Sequence, residues 1–239
     1  MSQINLCFIP HAGGSAMGYT NFKKFLYPEI KTIALEPAGR GKRLSEKCFI
    51  DAHECAVDLF NHYSEIFQNG NYALFGHSLG TVLAFELARI IKENNLPGPV
   101  HMFFSGKTAP HSKALSIISK TDNQSDEEFL KEFSSFGTIP DVILANGDLM
   151  KMLLPILRAD VTMADKYNYE YNGPELGCDI TVIYGKNDLC YTGQDVDMWQ
   201  QLTTGKCSSA GFVGNHFYFN DPAVKKKVCD LINATLYSK

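Results

Sequence analysis

At 239 residues, with 45% hydrophobic and 20% charged side chains, the chain is long enough to bury a substantial core and too apolar to be disordered. A formal charge of -4 argues against a general nucleic-acid binder, which carries a basic excess. No apolar run approaches membrane-spanning length, and the opening "MSQINLCFIPHAGG" lacks the layout of a signal peptide, so a cytoplasmic protein is expected.

Along the chain, "INLCFIPH" reads as a buried strand, followed by a Gly-Gly loop and a short helical stretch around Tyr19 to Leu26. "KTIALEP" is a second strand. "DAHECAVDLFNHYSEIF" has apolar residues at helical spacing, with Asp51 as its N-cap. "NYALFGHSLGTVLAFELAR" is a strand, a very short turn and an amphipathic helix. A fourth strand, "VHMFFSG", ends before Lys107. From about residue 108 to 173 the alternation breaks into consecutive helices, one capped by Ser125 or Asp126 and one carrying Pro155. "ITVIYG" resumes the strands, then a helix around "DVDMWQQL", the strand "AGFVG" and a helix starting near Asp221-Pro222. Strands alternating with helices predict an α/β fold, with a mostly parallel sheet covered on both faces. Residues 1–239 read as one domain, with a helical lid inserted over the carboxyl edge of the sheet at about 108–173. Met150, Met152 and Met163 either line that lid for varied acyl groups or pack it onto the sheet.

The seven cysteines show no C-x-x-C pair and no cysteine–histidine cluster, so free thiols and no metal site are expected. Gly76-His77-Ser78-Leu79-Gly80 at the strand-to-helix turn carries more chemistry. Two glycines let the backbone pass itself closely, which pushes the apex serine out above the following helix. A serine hydroxyl needs a base. Of the seven histidines, His216 lies in a loop just past a late strand, at the sheet edge where Ser78 opens. His77 is within the turn but faces away, and His53, His62, His101 and His111 read as structural or solvated. The base needs an acid, and "DITVIYGKND" ends a β-branched strand with Asp188 at the same edge, whereas "FFSGKTAP" offers no carboxylate. Ser78, Asp188 and His216 then follow the chain order of the α/β-hydrolase triad. Oxyanion donors are expected from the Leu79 amide at a helix N-terminus and from Ala12 in "FIPHAGGSA". The Gly-Gly pair lacks the spacing of a phosphate-binding loop.

The blocks "FIPHAGGSA", "PAGRGKR", "GHSLG", "LRADVTMADKY", "YGKND" and "GNHFYF" together resemble the type II thioesterases that accompany nonribosomal peptide and polyketide synthases. The similarity runs from Leu6 to the C-terminal helix, although the family usually reads "PGR" where this chain has Pro37-Ala38-Gly39-Arg40. The resemblance implies an α/β-hydrolase that removes stalled acyl or aminoacyl groups from the phosphopantetheine arm of acyl or peptidyl carrier proteins. It implies a monomer with no bound cofactor, the pantetheine belonging to the partner. Because carrier proteins are usually acidic, Arg40, Lys42, Arg43 and Lys107 are candidate docking residues, unless they are simply solvated. A serine esterase or a chain-terminating fatty acyl thioesterase would use the same triad, and a synthase-docking module without activity would keep only the fold.

Overall fold

A computed structural model describes residues 3–112, 124–134, 146–189, 191 and 196–237. The expected insertion is therefore described only in part, and Cys190 and Asp195 lie outside the described residues. The strands are β1 (Ile4–Ile9), β2 (Ile30–Ala34), β3 (Tyr72–His77), β4 (His101–Ser105), β5 (Asp179–Gly185) and β6 (Cys207–Phe212). They form one sheet in the order β2-β1-β3-β4-β5-β6, with every pairing parallel. The helices are α1 (Ala52–His62), α2 (Ser64–Phe67), α3 (Leu79–Glu93), α4 (Asp126–Ser134), α5 (Gly147–Lys166), α6 (Val196–Gln201) and α7 (Pro222–Tyr237), with 3-10 turns at Ala16–Lys24, Gly41–Arg43 and Tyr218–Asn220.

Period-two alternation along the buried strands divides the core between the two faces of the sheet. Cys7, Ile9, Leu74, Met102, Phe104, Ile180 and Val182 pack under α1, α3 and α6, where Trp199 stacks on Phe104 with ring centroids 4.1 Å apart. Leu6, Phe8, Ala73, Phe75, Phe103 and Ile183 point the other way, against Tyr19 and Phe22 of the first 3-10 turn and Val228, Cys229 and Ile232 of α7. A third cluster joins α4 to α5 through Phe129, Phe133, Met150, Leu157 and Val161, with Ala12 packed against it.

Several local signals work as read. The Asp51 carboxylate accepts the Glu54 amide at the start of α1. Ser125 and Glu128 exchange side-chain and backbone hydrogen bonds ahead of α4, a capping box. Helix α5 continues through Pro155 for its full 20 residues. The single helix expected over residues 51–67 instead breaks at Tyr63, whose hydroxyl accepts the Glu36 amide. Of the three methionines, Met150 and Met163 are buried while Met152 is exposed. The cysteines that are described are all free thiols.

Candidate active site

The turn after β3 places Ser78 at φ 54° and ψ −117°. Among the described residues only Ser78 and Asn95 combine a side chain with positive φ, a conformation that costs free energy and persists only where its surroundings enforce it. The enforcement is visible on both sides. A Cβ on Gly76 would come within 2.2 Å of the Gly80 carbonyl oxygen, and one on Gly80 within 2.1 Å of the Ile9 carbonyl oxygen on β1. The Ser78 amide donates to the Ser105 carbonyl at 2.8 Å, locking the turn to β4. The Leu79 amide follows at the first position of α3, where amides have no intrahelical acceptor.

The loops after β5 and β6 are laced together by backbone hydrogen bonds. Lys186 N–H donates to Phe212 O at 2.7 Å and Asn187 N–H to Gly214 O at 2.9 Å. So close an approach needs Gly185, where a Cβ would lie 2.1 Å from Asn215 O. Gly214 takes φ +131°, and the Asn215 side chain accepts the Phe217 amide. This lacing brings Asp188 to His216, with Oδ2 2.8 Å from Nδ1, and the carboxylate has no solvent exposure. His216 itself is 7% exposed, and its ring lies 4.8 Å from that of His77 within the elbow.

A feature absent from the sequence reading is a cluster of three imidazoles. His11, His77 and His216 are linked by ring separations of 5.8 and 4.8 Å, and all three touch Phe217. His77 Nδ1 is 2.8 Å from Ser105 Oγ, which is 2.6 Å from the Tyr218 hydroxyl, so this ring is held from behind rather than offered to Ser78. Burial first, and then repulsion from His216 and His11, hold His77 well below the usual imidazole range. His11, packed against Tyr19 and Phe217, is pushed down to about 3 by desolvation and by the charges of His216 and Arg40. The four other histidines stand away from this cluster. His53 pairs with Glu86 on α3, His62 is exposed, His101 meets Thr181, and His111 stacks on Tyr171.

The loop after β1 is also tightly held. Gly14 N–H donates to His11 O at 2.9 Å, and Gly13 N–H donates to Asp160 Oδ2 at 2.7 Å. Among the described residues the Ala12 amide between them has no acceptor.

The structure overturns the expectation that Arg40 and Arg43 face a docking partner. Arg40 is 5% exposed and forks onto Asp160, Nη1 to Oδ2 at 2.6 Å and Nη2 to Oδ1 at 2.7 Å. Burial opposes its charge, but the Asp160 carboxylate outweighs that and holds the guanidinium above its ordinary value. Arg43 is equally buried, forking onto Asp58 at 2.7 and 2.9 Å and reaching Glu46 at 2.8 Å. Of the three basic residues there only Lys42 is exposed, and Lys107 is half-buried. The missed signal was Asp160 itself: it shares the buried face of α5 with Leu157, Val161 and Met163, where a carboxylate requires a partner.

Among the described residues no group of three or more His, Cys, Asp or Glu could hold a metal ion, and no helix is long and apolar enough to cross a membrane.

The sequence profile of the family described as Thioesterase domain matches residues 4–236. The chain is similar to the gramicidin S biosynthesis protein GrsT of Aneurinibacillus migulanus, at 32% identity over 219 residues that cover 91% of this chain and 83% of the relative. It is also similar to the medium-chain S-acyl fatty acid synthase thioesterase of Rattus norvegicus, at 30% identity over 218 residues covering 91% and 81% of the two chains. The solved structure of the type II thioesterase BorB from the borrelidin biosynthetic cluster matches with a TM-score of 0.84 at 30% identity, covering 99% of this chain and 93% of that one. The parallel sheet is thus that of the thioesterase α/β-hydrolases.

Proposed function

We propose that the chain, which belongs to the thioesterase domain family, is a type II thioesterase that clears acyl and aminoacyl groups from carrier proteins of a nonribosomal peptide or polyketide synthase. It is a serine hydrolase of thioesters. Ser78 is the nucleophile, His216 its base and Asp188 the acid. The observation that carries this assignment is the 2.8 Å contact between His216 Nδ1 and the fully buried Asp188 carboxylate, beside the strained elbow that presents Ser78.

The chemistry follows from those positions. Asp188 accepts the Nδ1 proton of His216, which leaves Nε2 as the basic nitrogen. As the Ser78 oxygen attacks the thioester carbonyl, its proton passes to Nε2, and Asp188 compensates the charge that forms on the ring. The carbonyl oxygen takes up the electron pair and is received by the amides of Leu79 and Ala12. The intermediate collapses, the carbon–sulfur bond breaks, and the sulfur leaves with the proton from His216. An acyl-serine remains. Water, losing a proton to the same nitrogen, adds to it by the same path, and the acid departs with Ser78 restored. A thiolate leaves readily, so protonation of the leaving group matters less than it does for an amide.

The helices between β4 and β5 form the lid of this single domain, which works as a monomer with no cofactor of its own. Replacing Ser78 by Ala tests the reading. Turnover of acylated carrier proteins, followed by intact-protein mass spectrometry, should fall by about 10⁴-fold or more. A Ser78→Ala variant that still deacylates carriers at a comparable rate would remove the triad, and one that restores a deletion phenotype in full would favour a docking module. The likeness to the rat fatty acid synthase thioesterase supports a second reading, release of medium-chain fatty acids. The same carrier panel separates the two, by preference for acetyl and aminoacyl loads or for medium-chain fatty acyl loads.

A further inference from the structure

The oxyanion donor assigned to Ala12 lies in a Gly-Gly loop that is held both from within and from outside. Ala12 sits between two peptide planes. The plane that carries its own N–H also carries the His11 carbonyl, which accepts the Gly14 amide at 2.9 Å. The next plane carries the Gly13 N–H, which donates to Asp160 Oδ2 at 2.7 Å from the far side of the molecule in sequence. With both planes held, the Ala12 amide has one direction left to point.

Asp160 can do this because it is itself over-determined. Oδ2 receives both Gly13 N–H and Arg40 Nη1, while Oδ1 receives Arg40 Nη2. The same Arg40 nitrogen reaches the Gly14 carbonyl at 3.4 Å. One turn earlier on α5, Leu157 packs against Gly13, where a Cβ would lie 2.4 Å from Leu157 Cδ1 and where φ is +72°. Helix α5 therefore meets the loop twice, once by packing and once by a charge-assisted hydrogen bond.

We propose that Asp160, oriented by Arg40, is the positioning residue of the oxyanion loop, and that turnover depends on the seating of α5 through this clamp. The carbonyl oxygen gains its second donor only when Asp160 holds Gly13, so the clamp serves the charge that forms in the transition state. This inference rests on the assignment of Ala12 as an oxyanion donor. It predicts a loss in the rate of the chemical step rather than in substrate capture.

Asp160→Asn retains the size of the side chain but replaces one acceptor by a donor, so at most two of its three hydrogen bonds survive. With a short acyl thioester of N-acetylcysteamine, kcat should fall about 10- to 100-fold with KM changed less than twofold. Affinity for an alkylboronic acid, which forms a tetrahedral adduct on Ser78 with an oxygen toward the same donors, should fall by a similar factor. Arg40→Lys keeps the charge but loses the fork, and should show the same pattern with a smaller loss. Circular dichroism and melting establish that each variant is folded. If Asp160→Asn does not fold, Arg40→Lys decides: a lower kcat at constant KM supports the clamp, and a wild-type kcat overturns it. Folded variants with wild-type kcat and boronate affinity overturn it as well, as does a rise in KM with kcat unchanged. Boronate binding to Ser78→Ala at wild-type affinity would instead indict the triad, so the two failures remain distinct.

Discussion

Asp188→Asn should separate the proposed partner of the base from Asp160, the buried carboxylate that holds the loop after β1. In the structure Asp188 Oδ2 is 2.8 Å from His216 Nδ1 and its side chain has no exposure, so water cannot screen it. With charge centres about 4 Å apart, an effective dielectric of about 20 gives an attraction of about 4 kcal/mol for the imidazolium that forms as Ser78 attacks. Removing that charge alone should slow the chemical step by about 10³-fold. Asparagine adds a second penalty, because its NH₂ can donate to Nδ1 and so favour the tautomer that carries its proton on Nε2, which cannot take one from Ser78. The combined loss in kcat should approach about 10⁴-fold, with KM for a small thioester little changed. Acid product measured by chromatography is a better readout than thiol release, because the enzyme carries free thiols of its own. An Asp188→Asn enzyme within tenfold of wild-type kcat, or one less impaired than Asp160→Asn, would refute the assignment of the acid.

Two further outcomes follow from the elbow. A methyl group on Gly80 would lie 2.1 Å from the Ile9 carbonyl oxygen, so Gly80→Ala should destabilise the fold by about 1–3 kcal/mol or more and displace Ser78; a variant with wild-type melting temperature and kcat contradicts this. His77 and His11 are held neutral in the folded state, the first well below the ordinary value and the second near 3, whereas unfolded histidine takes up its proton near pH 6.5. The unfolded chain therefore binds more protons below that pH. Their contribution is fully present above about pH 6.5 and is lost as the pH falls, each residue adding a slope of up to about 1.4 kcal/mol per pH unit. Urea unfolding between pH 6 and pH 5 should show this decline, and His77→Gln should shallow it by about that amount; an unchanged slope sinks the argument.

The sequence made the proposed reacting groups easier to place than the framework that holds them. The Gly76 and Gly80 spacing states a local steric requirement, and the strands ending in Gly185 and Phe212 put Asp188 and His216 on one edge once the sheet is known to be parallel. Arg40 and Arg43 misled because charged residues in a glycine-rich loop are ordinarily solvated. Their burial depends on partners on other elements, with Asp160 lying 120 residues beyond Arg40, and no local period reports such a pairing. The imidazole cluster escaped notice for the same reason, since His11 and His216 lie in the loops after β1 and β6 while His77 ends β3. The break at Tyr63 was equally invisible, being set by a hydrogen bond to Glu36 rather than by a glycine or proline.

The parallel order of the sheet also has a consequence for biogenesis. The elbow belongs to β3, near the middle of the sheet, while the proposed acid and base hang from β5 and the outermost strand, β6. A nascent chain emerging from the ribosome can therefore assemble β1 to β4 and form the bend at Ser78 well before His216 is available to take its proton. Hydrolytic competence would arrive late, when β6 and the loop that carries His216 leave the exit tunnel and dock. A fragment ending before Val213 would retain the proposed nucleophile and lack the proposed base.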